Sequence, residues 1–297
     1  MFFLIWYLCL LFYDGTNKKM TTNITDKDGW LSLEGVISDE DFLLLSKLPH
    51  IDKLSVIKQP LITESIAKRF SSIQSINSLW LWCTTTRAAM QHITTLEGLN
   101  TLDLLSLKKP GKLINFANAE NLRVLRCNND MNEADLLEVA NLPNLEELGA
   151  QNSEVTKRAL NALLRMPNLK KLDLEATKFD DKWAKRLAAS ETITHLDIGA
   201  GRLTNKGLKE ICKMSQLQSL DIWWTNVDER GLDLLANLPN LDYLSIGGYD
   251  GQTTLTAKGV IPRLEAIKSL KKVWLDGISL TEAENKTLKE RYEYMRN

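Results

Sequence analysis

The sequence predicts an α/β solenoid, a fold in which short strands and helices alternate and stack. The first observation is a block of spaced apolar residues that recurs through the 297-residue chain, most clearly at 169–174, 193–198 and 217–222. The second is the spacing inside the block, whose fourth and sixth residues share one face of a strand because side chains alternate with period two. The third is a helix signal after each block, a Ser, Thr or Asp followed by apolar residues at helical spacing.

The first residue of the block can be followed through most of the chain. It falls at Ile51, Ile76, Leu99, Leu122, Leu145, Leu169, Ile193, Leu217, Leu241 and Leu270. A degenerate earlier copy, Trp30-Leu31-Ser32-Leu33, brings the total to about eleven units. One strand and one helix cannot bury their apolar faces alone, so stacked units share one continuous core.

The helix of each unit is predicted to begin at a polar residue that accepts a hydrogen bond from a free N–H of its first turn. These N-caps are Thr156, Asp180, Thr204, Asp228 and Thr256. The helix after Asp228 carries Leu232, Leu235 and Leu238, and the sequence Leu-Pro-Asn-Leu at 238–241 ends it, because proline cannot continue a helix. The capping-box pattern Thr281-Glu-Ala-Glu284 opens the last helix.

The repeat resembles the leucine-rich repeat family over roughly residues 28–280. Residues 220–241 follow the bacterial-type form L-x-L-x-x-T-x-V-T-D-x-G-L-x-x-L-x-x-L-P-N-L, similar to ribonuclease-inhibitor-like repeats, but Ser153, Thr177 and Thr225 replace the usual Asn after the strand. The resemblance implies a horseshoe with a parallel sheet on the concave face and helices on the convex face. It also implies a domain that binds proteins.

Three segments are expected along the chain. Residues 1–27 are an apolar segment and lead-in, residues 28–280 are the repeat domain, and residues 281–297 are a C-terminal capping helix. The apolar run at residues 2–13 is shorter than the roughly 20 residues of a spanning helix, and it lacks the basic region and cleavage site of a signal peptide. An export signal or anchor within residues 1–13, a true start at Met20 and a buried cap strand all stay open.

Composition and charge narrow the classes of partner. The net charge is −1 and no run of Lys or Arg exceeds two residues, so the basic footprint of nucleic-acid binding is absent. Cys9, Cys83, Cys127 and Cys212 are scattered instead of clustered in end caps, which favours a reducing, cytoplasmic setting. Secretion or membrane anchoring is the alternative and depends on residues 1–13. We expect a monomer.

Three units depart from the repeat. Lys108-Lys-Pro-Gly111 stands where a helix cap is expected, and residues 84–98 lack a leucine-rich helix. Residues 247–254, which read Gly-Gly-Tyr-Asp-Gly-Gln-Thr-Thr, form an insertion of about five residues whose Gly and Asp indicate an irregular loop. Insertions in solenoids often lie on the binding face, although neutral drift in a tolerant surface loop gives the same pattern.

Aromatic residues at outward strand positions form the first predicted contact surface. They are Trp80 and Trp82 on one strand, and Trp223, Trp224, Tyr243, Trp274 and the loop residue Tyr249 near the C-terminus. Trp and Tyr are enriched in interface hot spots, and an exposed apolar cluster usually marks a contact site. The alternative is that these rings cover one another and shield the last strand of the sheet.

An acidic ladder of Asp173, Asp197 and Asp221 on adjacent strands is the second predicted contact surface. Like charges directly opposite one another destabilise a sheet, and Lys171 and His195 are expected to offset part of this. A basic segment of a partner would use such a ladder. The alternative is a solvated acidic face without a partner, where the charges cost little.

The sequence predicts no catalytic, cofactor-binding or metal site. The P-loop, H-E-x-x-H and dinucleotide fingerprints are absent, and none of the three histidines pairs with Cys at zinc spacing. Cys83, placed on the concave face near Trp82, is a candidate nucleophile without a positioned base. The chain is therefore predicted to be a non-catalytic module that recognises a protein or peptide through its concave face and the 247–254 loop.

Overall fold

The alternation of strands and helices that the repeat predicts is present in the computed structural model of the chain. The structure describes residues 23–27, 29–108, 114–249 and 252–295. The predictions on residues 1–13 and on Met20 lie outside the described residues, as do Lys109, Pro110, Gly111, Asp250 and Gly251. The chain divides into two compact units, Met1–Leu145 and Glu146–Asn297.

The described part of the first unit contains six strands, which pair in chain order. They are β1 (Asn23–Lys27), β2 (Trp30–Glu34), β3 (Ile51–Ile57), β4 (Ile76–Thr85), β5 (Thr101–Leu107) and β6 (Val124–Cys127). Strands β2 to β6 are parallel. Strand β1 runs antiparallel to β2, a pairing that the repeat does not predict.

The described part of the second unit contains seven parallel strands, again in chain order. They are β7 (Glu147–Gly149), β8 (Lys171–Asp173), β9 (His195–Asp197), β10 (Ser219–Asp221), β11 (Tyr243–Gly247), β12 (Lys272–Asp276) and β13 (Glu293–Met295). The last of these pairs with β12 and extends the sheet beyond the final repeat.

The strand register places one repeat position side by side on neighbouring strands of the second unit. Asp173 lies opposite Asp197, and Asp197 lies opposite Asp221. Ser245 and Trp274 continue the same ladder on β11 and β12. The apolar residues that flank each ladder position are at most 2 % exposed. The predicted assignment of inward and outward positions is confirmed for these strands.

Helices follow the strands in both units. The described α-helices are α1 (Asp39–Leu45), α2 (Glu64–Phe70), α3 (Arg87–Ile93), α4 (Glu133–Val139), α5 (Lys157–Leu163), α6 (Asp181–Leu187), α7 (Asn205–Ile211), α8 (Glu229–Leu232), α9 (Ala257–Ala266) and α10 (Glu282–Arg291). A 3₁₀ helix (Asp233–Asn237) continues α8. No helix in the described ranges combines the length and the apolarity needed to cross a membrane.

The polar residues predicted to begin the helices do so. All five predicted N-caps accept a hydrogen bond from an N–H of the first turn, as Thr156 does from Ala159 at 3.2 Å. The capping box between Thr281 and Glu284 is also formed. Helix α10 ends at Arg291 and β13 follows it, whereas the sequence predicts a helix over residues 281–297. These caps are local interactions, which explains why residue type and spacing identify them.

Residues 84–98 lack a leucine-rich helix, as predicted, but they contain a helix built from other apolar residues. Helix α3 begins after Thr86, whose hydroxyl accepts from the N–H of Ala89 at 3.2 Å. It buries Ala89, Met90 and Ile93. The prediction depended on leucine content, but Ala, Met and Ile fill the inward positions of this helix equally well.

A buried ion pair links α3 to α4 in the first unit. Nη1 of Arg87 donates to Oδ1 of Asp135 at 2.5 Å, and Nη2 donates to the carbonyl oxygen of Asp130 at 2.9 Å. The two side chains are 2 % and 0 % exposed. No helix lies between α3 and α4 in the described sequence, in agreement with the departure predicted at Lys108. The pair therefore connects the helices on either side of the irregular unit.

Candidate functional site

A cavity of about 300 Å³ opens on the outward side of the strands in the second unit. Its lining consists of Glu175, Asp197, Asp221, Trp223, Tyr243, Ser245, Trp274 and Asp276. Six of these residues lie on β9 to β12, and Glu175 and Trp223 each come two residues after a strand end. The structure thus brings together five of the residues predicted from the sequence: Asp197, Asp221, Trp223, Tyr243 and Trp274.

The carboxylates of the cavity are partly buried and repel one another. Burial, followed by the charges of Asp221 and Asp173, raises the pKa of Asp197 to about 9. Burial also raises the pKa of Asp221 to about 6, against hydrogen bonds from the N–H of Trp223 and from Ser245. Burial and the charge of Asp173 raise the pKa of Glu175. The acidic ladder is therefore partly buried, and its use by a partner stays a prediction.

Lys171 and His195, which are expected to offset part of the repulsion in the ladder, lie close to Glu147 and Thr194. Nζ of Lys171 lies 3.5 Å from a carboxylate oxygen of Glu147. Burial and the neighbouring Lys171 lower the pKa of His195, whose Nδ1 lies 2.9 Å from the hydroxyl of Thr194. Strand register places these two residues beside each other, so their charges act on one another and on Glu147.

Asp173, Glu175 and Asp197 are the described residues whose spacing would allow them to share a cation. One oxygen from each carboxylate lies within 4.8 Å of the others. Carboxylate oxygens are the ligands that hard cations such as Ca²⁺ and Mg²⁺ prefer. An acidic ladder in strand register produces this spacing by itself, so the geometry alone assigns no metal to it.

Three aromatic rings, which we call the aromatic triad, stand together beside the cavity. They belong to Trp223, Trp224 and Tyr249. The ring centroids of Trp223 and Trp224 are 5.7 Å apart, and Tyr249 lies 4.9 Å from the first and 4.8 Å from the second, nearly edge-on to both. Tyr249 is 51 % exposed and Trp224 is 42 % exposed. Edge-to-face packing is a favourable geometry for such rings, so the inserted loop is tied to the strand end through Tyr249.

The two remaining rings of the cavity are fixed by the strands that carry them. Tyr243 and Trp274 are half-buried, and Nε1 of Trp274 donates to Oδ2 of Asp276 at 2.9 Å. Nε1 of Trp223, by contrast, is buried and has no hydrogen-bond partner in the part of the chain that the structure describes. Trp223, which lines the cavity, therefore has a buried indole donor that is not used among the described residues.

Trp224 adopts a left-handed backbone conformation. Its φ is +51°, and the equivalent residues one, two and three repeats earlier, Ala200, Ala176 and Asn152, have φ of 49°, 56° and 49°. The turn after the strand therefore requires this conformation in each of these repeats. A bulky residue rarely adopts it, because Cβ then approaches the following carbonyl oxygen. Trp224 is presented to solvent at a cost in backbone strain.

Gly247 fixes the start of the inserted loop. Its φ is +116°, and a Cβ atom at this position would lie 2.0 Å from the carbonyl oxygen of Asp276. The same oxygen accepts a hydrogen bond from the N–H of Gly248 at 3.1 Å. Strands β11 and β12 can therefore approach closely only with glycine at residue 247, two residues before Tyr249.

A second aromatic group lies in the first unit. The ring of Trp80 is 5.0 Å from that of Trp30 and 5.2 Å from that of Trp82, centroid to centroid. Trp82 is 49 % exposed, and Nζ of Lys53 lies 5.8 Å from the centroid of Trp30. Trp30 was not predicted to belong to this aromatic group. Strand alternation would have found it, since Trp30 shares a face of β2 with Ser32.

Cys83 points inward, so its predicted place on the outward face is wrong. It is 4 % exposed, because the alternation that turns Trp82 outward turns its neighbour toward the core. Burial raises the pKa of Cys83, Cys127 and Cys212 each to about 12. Thiols with such a pKa carry little of the thiolate that acts as a nucleophile.

Comparison with known proteins supports the fold. No protein-family model and no curated protein matches the chain. Among solved structures, the chain is similar to an internalin (inlF) from Listeria monocytogenes, with 16 % identity and a TM-score of 0.54 over 99 % of this chain and 87 % of that one.

Two further solved structures match at lower scores. A complex of TLR13 with ssRNA13 has a TM-score of 0.48 at 16 % identity and covers 82 % of this chain and 40 % of that one. The actin-binding site 2 of leiomodin-1 has a TM-score of 0.37 at 22 % identity and covers 46 % and 87 %. Scores this low do not establish a shared fold.

The internalin is a leucine-rich repeat protein. With the repeat spacing and the strand register, this likeness shows that the chain has the leucine-rich repeat fold.

Proposed function

We propose that this chain is a protein-binding module whose contact surface comprises the outward face of β8 to β12 and the 247–254 loop. The observation that carries the proposal is the aromatic triad, in which two rings about half exposed stand together at the rim of a cavity. Exposed apolar side chains that are merely tolerated are scattered singly. Rigid rings at the rim of a pocket are typical of interface hot spots.

The pairing of the last strands supports this proposal over the alternative that the rings shield the edge of the sheet. The backbone of β13 pairs with β12, and Met295 lies opposite Trp274. The edge of β12 is therefore already occupied by main chain. Trp224 and Tyr249 lie beyond the strand ends, where they cover no open edge.

The backbone at the site supports the same proposal. Trp224 stands in a left-handed conformation where Asn152 stands in an equivalent turn, and an Asn there would relieve part of the strain. Strain of this kind persists where the surrounding structure imposes it, and it clusters at functional sites. A bulky ring at this position is costly for the free chain, which is consistent with selection for a contact.

Affinity capture with the full chain tests the proposal. Trp224→Ala/Tyr249→Ala removes both exposed rings, and Leu43→Ala, a residue 62 % exposed on α1, is the matched control. Proteins captured by the wild type and by Leu43→Ala should bind the double variant at least about 10-fold less, because each hot-spot ring contributes about 2 kcal/mol. Equal capture by all three, with unchanged melting temperatures, would refute the proposal.

Trp80 and Trp82 form a second proposed contact, on the first unit. Trp82→Ala in the same capture experiment tests it independently, because Trp82 is exposed and its removal leaves the core intact. A loss of captured protein that is specific to this variant supports the second contact. If Trp82→Ala captures as much protein as the wild type does, Trp80 and Trp82 only pack with Trp30 and form no contact with a partner.

A further inference from the structure

We propose that the cavity beside the aromatic triad binds a cationic side chain, Lys or Arg, of a protein or peptide partner. This inference rests on the proposed function and adds to it the chemistry of the partner. It is carried by the composition of the cavity and by the charge balance of its walls.

The lining of the cavity is suited to a cation with an apolar stem. It contains four carboxyl groups, three aromatic side chains and one serine, and no basic side chain. Its volume of about 300 Å³ lies at the lower end of the range of ligand pockets, roughly 300–1,000 Å³. A pocket of this size accommodates one long side chain more readily than a cofactor.

The two kinds of lining group recognise different parts of such a side chain. Trp223, Tyr243 and Trp274 offer ring faces, which attract ammonium and guanidinium groups and pack against the aliphatic stem. Asp197 and Asp221 accept charge-assisted hydrogen bonds from the cationic head. A neutral aliphatic side chain would make only the ring contacts, and an anion would be repelled.

The described residues that line the cavity bring carboxyl groups together without a basic side chain among them. Asp197 faces Asp173 and Glu175 on one side and Asp221 on the other, and burial together with these carboxylates raises its pKa to about 9. Asp197 accepts a hydrogen bond from the N–H of Gly199 at 2.9 Å, and Asp221 accepts from the N–H of Trp223 at 2.8 Å and from Ser245. A bound cation would favour the ionised form of these carboxyl groups, because an opposite charge nearby lowers their pKa.

A peptide fits better than a free amine. Trp223 lines one wall, and its buried Nε1 has no acceptor among the described residues. A main-chain carbonyl of a bound peptide would provide that acceptor, and leaving a buried donor without one is costly. The unused donor is an observation independent of the charges.

The indole N–H signals of the full-length, ¹⁵N-labelled protein provide a site-resolved test. The probes are Nα-acetyl-arginine methylamide and Nα-acetyl-lysine methylamide, and Nα-acetyl-norleucine methylamide is the neutral control with the same stem. We expect saturable shifts at Trp223, Trp224 and Trp274 with the cationic probes, and none at Trp82 and Trp183, which do not line the cavity. The neutral probe should bind at least about 10-fold more weakly, since it lacks the charged contact.

Variants test the role of the carboxylates. The double variant Asp197→Asn/Asp221→Asn should bind the arginine probe at least 10-fold more weakly than the wild type does. Asp242→Asn is the matched control, because Asp242 pairs with Lys271 outside the cavity, and it should bind the probe as the wild type does. Unchanged signals of Trp82 and Trp183 show that each variant is folded.

Three outcomes would overturn the inference. The norleucine probe could cause shifts equal to those of the cationic probes, neither cationic probe could cause shifts, or Ca²⁺ could cause shifts where the cationic probes cause none. If the probes fail while Trp224→Ala/Tyr249→Ala still abolishes capture, the proposed function stands and this inference falls. If the probes bind while that double variant captures normally, the cavity binds cations and the proposed function falls.

Discussion

Asp197 illustrates how strand register changes the properties of a single residue. An isolated aspartate on a strand face is solvated and ionised, but here register places Asp173 and Asp221 directly on either side. Nearby rings and strands remove water, and burial becomes the largest cause of the raised pKa. The carboxyl group therefore holds its proton in the folded chain at a pH where it is ionised in the unfolded chain.

Replacing Asp197 should change the pH dependence of stability. The pKa of Asp197 is about 9 in the folded chain, against an ordinary value of 3.8. Its contribution to the stability of the folded chain is therefore fully present below about pH 4 and is lost as the pH rises toward 9. Asp197→Asn should therefore raise the free energy of unfolding at about pH 8 by roughly 1–3 kcal/mol and change it little at about pH 4. Urea unfolding at the two pH values measures this.

Asp228 provides the control of opposite sign. A hydrogen bond from Asn205 lowers the pKa of Asp228, so its contribution to stability is present above the ordinary pKa and is lost as the pH falls. Asp228→Asn should not stabilise the chain at about pH 8. An equal gain in both variants would contradict the explanation given for Asp197.

The strain at Trp224 can be separated from the loss of its ring. Trp224→Gly and Trp224→Ala both remove the ring, but only glycine adopts a φ of +51° without steric cost. The glycine variant should be more stable than the alanine variant by about 1 kcal/mol. On β4 the order should reverse, with Trp82→Gly less stable than Trp82→Ala by about 0.5–1 kcal/mol. Thermal melts of the four variants test this, and the same order at both positions would refute it.

At the scale of elements, the inserted loop depends on the close approach of β11 and β12. Gly247→Ala places a Cβ atom 2.0 Å from the carbonyl oxygen of Asp276, so it should destabilise the chain by more than about 2 kcal/mol and separate Tyr249 from Trp223. Gly248→Ala is the matched control, because the nearest atom to its added Cβ lies 3.5 Å away. Unfolding experiments and Trp fluorescence of both variants measure the difference. Equal stability of the two would contradict the proposed clash.

The buried pair between α3 and α4 should contribute far more than an ion pair at the surface. Arg87→Ala leaves the carboxylate of Asp135, which is 0 % exposed, without its counter-charge, and we expect a loss of about 3–5 kcal/mol. Arg69→Ala removes a pair with Asp39 whose side chains are 36 % and 77 % exposed, and we expect less than about 1 kcal/mol. Equal losses in urea unfolding would show that burial does not set the cost.

The elements that sequence could predict are those fixed by local interactions. Thr156 and the other N-caps bond within their own helix turn, and the ladder of Asp173, Asp197 and Asp221 follows from period-two alternation. Helix α3 was missed because leucine content served as a proxy for burial. Strands β1 and β13 were missed because edge pairing depends on which neighbouring strand offers free main-chain groups.

The candidate site was predictable as a set of residues but not as a cavity. Alternation identifies Trp223, Tyr243 and Trp274 as outward residues, yet it does not predict their partial burial or the packing of Trp223 against Tyr249, which an irregular loop supplies. The raised pKa of Asp197 depends on that burial and on Asp221, a residue 24 positions away. The spacing of the repeat predicts the ladder of aspartates, but it does not predict whether their carboxyl groups are solvated or buried.

At the scale of the whole molecule, stacked repeats make stability a regional property. In a solenoid each repeat contacts its neighbours, so the loss of one interaction is felt first by the units beside it. The chain divides into two compact units, Met1–Leu145 and Glu146–Asn297, and Arg87 and Asp135 both belong to the first. The candidate site belongs entirely to the second.

Arg87→Ala should therefore destabilise one unit more than the other. We expect amide hydrogen exchange to accelerate in the described residues of the first unit, above all in α3 and α4, because local opening exposes the repeats that lose the ion pair. Exchange in β8 to β12 should stay within about twofold of the wild type, since each repeat contacts only its neighbours, and binding of the arginine probe should be unchanged. Exchange that accelerates equally in both units would mean that the chain opens as one cooperative body, and regional stability would then be the wrong description of this solenoid.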